Sequence, residues 1–93
     1  MSKRKKMEVI PYPVVDQEEV ERCMALPYSI VLIPFLPEDG EGWFAKIAEL
    51  EGCQSDGETE AEVLVNIRDA QVAWIDACLA MGDDVPFPAT KLP

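Results

Sequence analysis

Apolar positions first follow a helical spacing, with Val20, Cys23 and Met24 on one face behind Asp16 and Glu19, the pair that opens a capping box. A short helix is expected over residues 16–25, stopped by Pro27. The period then changes. Residues 28–36 are almost wholly apolar, with Ile30, Leu32 and Pro34 on one side of an extended chain and Val31, Ile33 and Phe35 on the other. This is the pattern of a strand buried on both faces. One face can meet a helix, so the other needs the short helix, an N-terminal arm or a second subunit. Residues 37–42 supply turn chemistry, with Gly40 and Gly42 free to take positive φ. Trp43, Ala45 and Ile47 then alternate with Phe44, Lys46 and Ala48, the second strand of a hairpin with Trp43 and Ile47 inward. Residues 52–55 read as a brief third strand, and Asp56-Gly57 as the turn after it.

Thr59 and Glu62 form another capping box, and Glu58, Glu60 and Glu62 place negative charge where a helix dipole favours it. The helix that begins there is expected to reach Met81 and close at Gly82. Val63, Ile67, Ala70, Trp74, Ala77, Cys78 and Met81, joined by Leu64 and Ile75, cover an apolar arc of roughly 160°, wide enough to lie on a sheet. Val65, Val72 and Leu79 make a narrower ridge about opposite. Scattered exposed apolar residues are one reading of that ridge, and a shared subunit surface is the other. Together with Val31, Ile33 and Phe35 these residues are the candidate oligomer interface. Residues 85–88, apolar at their centre, suit a short edge strand, where proline is tolerated. Residues 1–15, with Pro11 and Pro13, read as an extended arm, residues 16–88 as one domain and residues 89–93 as a tail. The fold class expected is α+β: a three-stranded antiparallel sheet under one long helix, with a short N-terminal helix and a short C-terminal edge strand.

Length changes this picture in one respect: 93 residues hold a single core and leave much surface exposed, which makes oligomerisation a natural source of further burial. Charge changes it more. Eighteen Asp and Glu against eight Lys and Arg give a formal net charge of −10, which repels phosphate backbones and attracts basic protein surfaces. The exception is Lys3-Arg4-Lys5-Lys6, read as a solvated tail, with a weak nucleic-acid contact as the alternative. No window supplies the roughly 18 apolar residues of a membrane span. Glu8, Pro11, Pro13 and Asp16 break up any signal-peptide core, so the protein is expected in the cytoplasm, without a membrane partner. Cys23, Cys53 and Cys78 are odd in number and widely spaced, as reduced thiols used for packing are.

Candidate chemistry is sparse. Without His, catalytic triads, zinc hydrolases and His-based ribonucleases have no general base or ligand. Cys53 follows Gly52 with nothing to activate it, and a packing role is expected. Acidic residues clustered in turns and at a helix start could bind Mg²⁺ and cut phosphodiesters, but solvation and capping explain them fully. The glycines form no phosphate loop. No enzymatic activity, cofactor or metal is expected.

Against this background, residues 26–88 resemble the HicB antitoxin family. Leu26-Pro27-Tyr28-Ser29-Ile30 is similar to the family's entry into its first strand, and Trp43-Phe44 to its aromatic pair. Leu50-Glu51-Gly52-Cys53-Gln54-Ser55-Asp56-Gly57-Glu58-Thr59 resembles the L-x-G-C-x-S-x-G-x-T signature. Glu62, Trp74 and the run from Gly82 to Pro88 also fit. Gly52, Cys53, Ser55, Gly57, Thr59, Glu62 and Trp74 are therefore the fold signature. In physical terms Gly57 is expected to permit a tight turn, Thr59 to cap the helix, and Gly52 to let the third strand begin close to its neighbour. The chain departs from the pattern at Ala48 and Glu51, where the family usually has proline, and at Val63, where it has alanine.

The resemblance implies a reduced ribonuclease-H-like fold without its active site, self-association as dimers or larger, and neutralisation of a small basic mRNA-cleaving toxin by covering its catalytic surface. A toxin-less structural or regulatory homo-oligomer is the alternative, and a divalent-metal nuclease a third. Many family members carry a C-terminal DNA-binding domain. Residues 89–93 cannot form one, so direct DNA binding is not expected.

Overall fold

The computed structural model describes residues 15–88. Of the expected arm over residues 1–15 only Val15 is among them, packed against the core; the rest of the arm with its basic run, and the tail over residues 89–93, lie outside.

Helix α1 spans Gln17–Met24. Asp16 caps it by accepting from the Glu18 N–H at 3.0 Å, so the cap closes one residue earlier than a capping box with Glu19 would. Three strands follow, β1 at Ile30–Pro34, β2 at Trp43–Ile47 and β3 at Gln54–Gly57, and then helix α2 at Glu60–Ala80. The sheet is an antiparallel meander in the order β1-β2-β3, with Leu32 opposite Ala45 and Ala45 opposite Ser55. The turn between β1 and β2 contains one turn of 3₁₀ helix, Pro37–Asp39.

Strand alternation decides which side chains form the core. Ala45 and Ile47 on β2 are buried, and Ile30, Leu32 and Trp43 pack beside them. α2 lies on this face through Val63, Ile67 and Ile75, and α1 adds Val20. The sheet's other face is not covered by any described element. Among the described residues β1 is covered on its inner side alone, not by α1 on the other: Ile33 is 43% exposed and Val31 half-buried. β1 is an edge strand, and its outer face is open among the described residues.

Two joints work differently from the sequence reading. Gly52 has φ +85° with no atom within 4 Å of where a Cβ would sit, so it is the turn glycine between β2 and β3. Gly57 has no such φ. It belongs to β3, opposite Trp43, and a Cβ there would lie 2.7 Å from the Val63 backbone nitrogen. Because α2 starts three residues beyond β3, its first turn folds back over the strand's end. The two glycines thus exchange the roles assigned from sequence, and the third strand begins at Gln54, two residues later than expected.

Thr59 Oγ1 accepts from the Glu62 N–H at 3.0 Å, while the Glu62 carboxylate reaches back to the Glu58 N–H at 2.8 Å. At the far end Gly82 takes φ +79°, and the bonds Gly82 N–H to Leu79 O and Asp83 N–H to Cys78 O make a Schellman closure. Residues 85–88 form no strand, correcting the expected fourth one. Pro86 and Pro88 have no N–H to give a ladder, and the segment is instead tied down by the Tyr28 hydroxyl donating to Pro86 O at 2.6 Å.

Candidate functional site

The signature residues gather along one seam, from the β2–β3 turn through β3 to the start of α2. Gly52 and Gly57 shape the backbone as described above. Cys53 is buried in the core, Ser55 is half-buried on the inner face of β3, and Thr59 and Glu62 cap α2. Trp74 lies four turns further along α2, and its indole N–H donates to Glu51 O at 2.9 Å. That bond ties the helix to the glycine turn, so Trp74 belongs to the same seam in space although distant in sequence. Asn66 does likewise one level up, donating to Asp56 O at 2.8 Å. All seven residues act on the scaffold.

The six candidate interface residues separate. Val31 and Ile33 point away from the core on the outer sheet face, next to Phe44 and Lys46 of β2. Phe35 folds over Gly42 at the hairpin end, where its ring would meet a Cβ at 2.8 Å. Val65 and Val72 are exposed on α2, on the opposite side of the molecule from Ile33. Leu79 packs against the core and shares a hollow with Cys23 and Leu26 of the α1 region. The ridge on α2 therefore ends at Val72, because α1 gives the helix a second packing partner. Leu64 and Met81, expected in the core arc, are exposed because the buried stripe of α2 follows Val63, Ile67, Gln71 and Ile75 and passes them by.

Gln71 is the residue that periodicity passed over. It is fully buried; its Oε1 accepts from Arg68 Nη1 at 3.2 Å, and its Nε2 has no hydrogen-bond partner. Counting every fourth residue from Val63 would have found the position. Glu49 is a second residue without a local sequence signal. Its carboxylate accepts from both the N–H and the Oγ of Ser29, at 2.9 and 3.0 Å, clasping the entry of β1 to the exit of β2.

For chemistry the surfaces offer little. Burial pushes the Cys53 thiol above its ordinary range. Cys78 is raised by burial and then by Asp83, Asp84 and Cys23, and Cys23 by burial and then by Glu19, against a lowering from Arg22. Each shift favours the protonated thiol, the less reactive form. Glu41, Asp56, Glu58 and Glu62 line one hollow of about 260 Å³ with Phe35 and Asn66, yet among the described residues no three Asp, Glu or Cys side chains converge closely enough to hold a metal ion. No helix of the described residues is long and apolar enough to cross a membrane.

Fold and surfaces together define a small α+β unit whose distinctive features are packing joints and open apolar faces. Comparison with protein-family models, curated proteins and solved structures finds no match to the chain.

Proposed function

We propose that this protein is a HicB-like protein-binding module that neutralises a small basic mRNA-cleaving toxin by covering its active surface. The observation that carries the reading is the open sheet face. Val31, Ile33 and Phe44 form an apolar strip on an edge strand and its neighbour, on a chain of net charge −10. Uncovered strips of this kind on small domains mark protein interaction sites. Support also comes from the signature residues, since Gly52, Gly57, Thr59 and Trp74 each serve a joint that substitution would disturb. An acidic module of this type meets a basic, RNA-binding surface with complementary field, which speeds encounter and competes with RNA for the same charges. Three thiols kept protonated and unpaired suit a reducing compartment such as the cytoplasm.

Co-expression with the product of the adjacent gene tests this directly. The expected result is co-purification of a small basic protein and rescue of growth from its toxicity. Toxicity undiminished by co-expression would end the antitoxin reading.

A second reading, the toxin-less homo-oligomer, is favoured by one feature of the same face. Lys46 and Asp56 flank the apolar strip, so its polar margin is balanced in charge, and like-charge repulsion between two copies is least there. Light scattering on wild type and Ile33→Glu separates the readings. An oligomer that dissociates in the variant, without any toxin neighbour, selects the homo-oligomer.

A further inference from the structure

The C-terminal end of α2 carries a second surface of different character. Two apolar hollows adjoin there, one of about 480 Å³ lined by Trp74, Ala77, Met81 and Pro86, the other of about 380 Å³ lined by Leu26, Leu79, Val85 and Phe87. Asp83 and Asp84 line both. Met81 and Phe87, 76% and 77% exposed, stand one on each hollow. Their side chains do not hold the segment in place. The Schellman bonds at Gly82 and Asp83, the Cys78 thiol donating to Asp84 O at 3.5 Å, and the Tyr28 hydroxyl on Pro86 O fix residues 82–86 from beneath. The surface is thus formed in advance, which lowers the ordering cost of binding.

Its charge selects what can bind. Asp83 and Asp84 place two carboxylates at both hollows, and Glu19 adds a third to the second. Arg22, Lys46 and Arg68, the cations of the described residues, line neither hollow. The negative end of the helix dipole lies at the same place. An anionic lipid surface would be repelled. A lone small hydrophobe would fill one hollow and leave the acids unpaired, and a polyamine would pair the acids and leave the hollows empty.

We propose that the end of α2 is the docking surface for a basic segment of a partner protein, with aliphatic side chains in the two hollows and a Lys or Arg between them on Asp83 and Asp84. This surface is separate from the outer sheet face and adds to the partner-binding reading, on which it rests, a second contact for a segment of stated chemistry.

The test titrates the isotope-labelled full chain with a short end-blocked peptide of alternating Leu and Arg, followed by NMR and calorimetry. Amide shifts concentrated in residues 77–87 are expected, with affinity falling about tenfold in Asp83→Lys/Asp84→Lys and also in Met81→Ser. Should the lysine pair disturb folding by circular dichroism, Asp83→Asn/Asp84→Asn is used, with the same direction expected. Equal binding of a Ser/Arg peptide would reduce the effect to bulk charge and overturn the proposal. Shifts centred on the outer sheet face, or affinities indifferent to the variants, would overturn it too. So would a change in the 77–87 signals on deleting residues 2–14, or loss of self-association in the Asp83/Asp84 variant without loss of peptide binding, since the occupant would then be the chain's own basic run or a second copy. A toxin that co-purifies equally well with the Asp83/Asp84 variant leaves the antitoxin reading standing and removes this surface. Peptide binding without any toxin neighbour does the reverse.

Discussion

Gly57 lies so close beneath the first turn of α2 that a Cβ on it would come within 2.7 Å of the backbone nitrogen of Val63. The neighbour is main chain within a helix and cannot swing aside. Gly57→Ala should therefore destabilise the fold by about 2 kcal/mol, by forcing α2 off the sheet. Gly52→Ala should lose about 1 kcal/mol for a different reason, the strain of a left-handed backbone in open space, and Gly52→Asn should recover part of it. Urea midpoints of the three variants distinguish a steric from a conformational requirement, because Asn relieves only the second.

Thr59 holds the start of α2 through its hydroxyl on the Glu62 N–H. Thr59→Ala should lower stability by about 1 kcal/mol and Thr59→Ser should leave it nearly unchanged. Hydrogen exchange localises the effect: amides of the first turn of α2 should exchange faster in the alanine variant, with those around Ile75 following only the global change.

Gln71 is a polar side chain in an apolar layer with one amide nitrogen unsatisfied. Gln71→Met keeps the volume and removes the orphaned donor, and should stabilise the protein by about 1 kcal/mol. Gln71→Ala should do the opposite, losing about 2 kcal/mol to the cavity it opens. Thermal unfolding of the two variants should move in opposite directions from wild type. If both fall, the Arg68 bond to Oε1 matters more than the unpaired nitrogen.

Stability should fall at alkaline pH. Burial raises the Cys23, Cys53 and Cys78 thiols and the Tyr28 hydroxyl above their ordinary values, because each is more easily ionised in the unfolded chain than in the folded one. Their contribution is whole below the unfolded-state values and is lost as pH rises through the folded-state ones. Denaturation midpoints should therefore decline above about pH 9. Cys53→Ala should flatten part of that decline while lowering stability at neutral pH.

Short-range signals were legible in the sequence and longer-range ones were not. The cap at Thr59, the closure at Gly82 and the inward set Trp43, Ala45 and Ile47 depend on neighbours a few residues away, and each stands where the pattern put it. Helical projection turns Leu79 outward, since it shows only one face of α2 opposite another. Only the placement of α1 against α2 turns it in. Residues 85–88 look like a strand by composition, but a strand needs a partner edge, and Tyr28, far off in sequence, claims the carbonyl of Pro86. Gly52 and Gly57 exchange roles because a glycine in the sequence reports freedom of φ and not what lies overhead. Of the candidate surfaces, the outer face of β1 was visible from its alternation, whereas the hollows beside Asp83 and Asp84 arise only where α1, α2 and the C-terminal segment converge.

Because β1, β2 and β3 lie in space as they lie in the chain, each strand finds its partner after one short reversal. Loop closure over such spans is quick, which places assembly of this layer on the order of milliseconds or faster. The Tyr28 hydroxyl must wait for Pro86, 58 residues downstream. The bond therefore joins the approach to β1 to the segment beyond α2 across a span whose closure costs more entropy than any of the strand pairings.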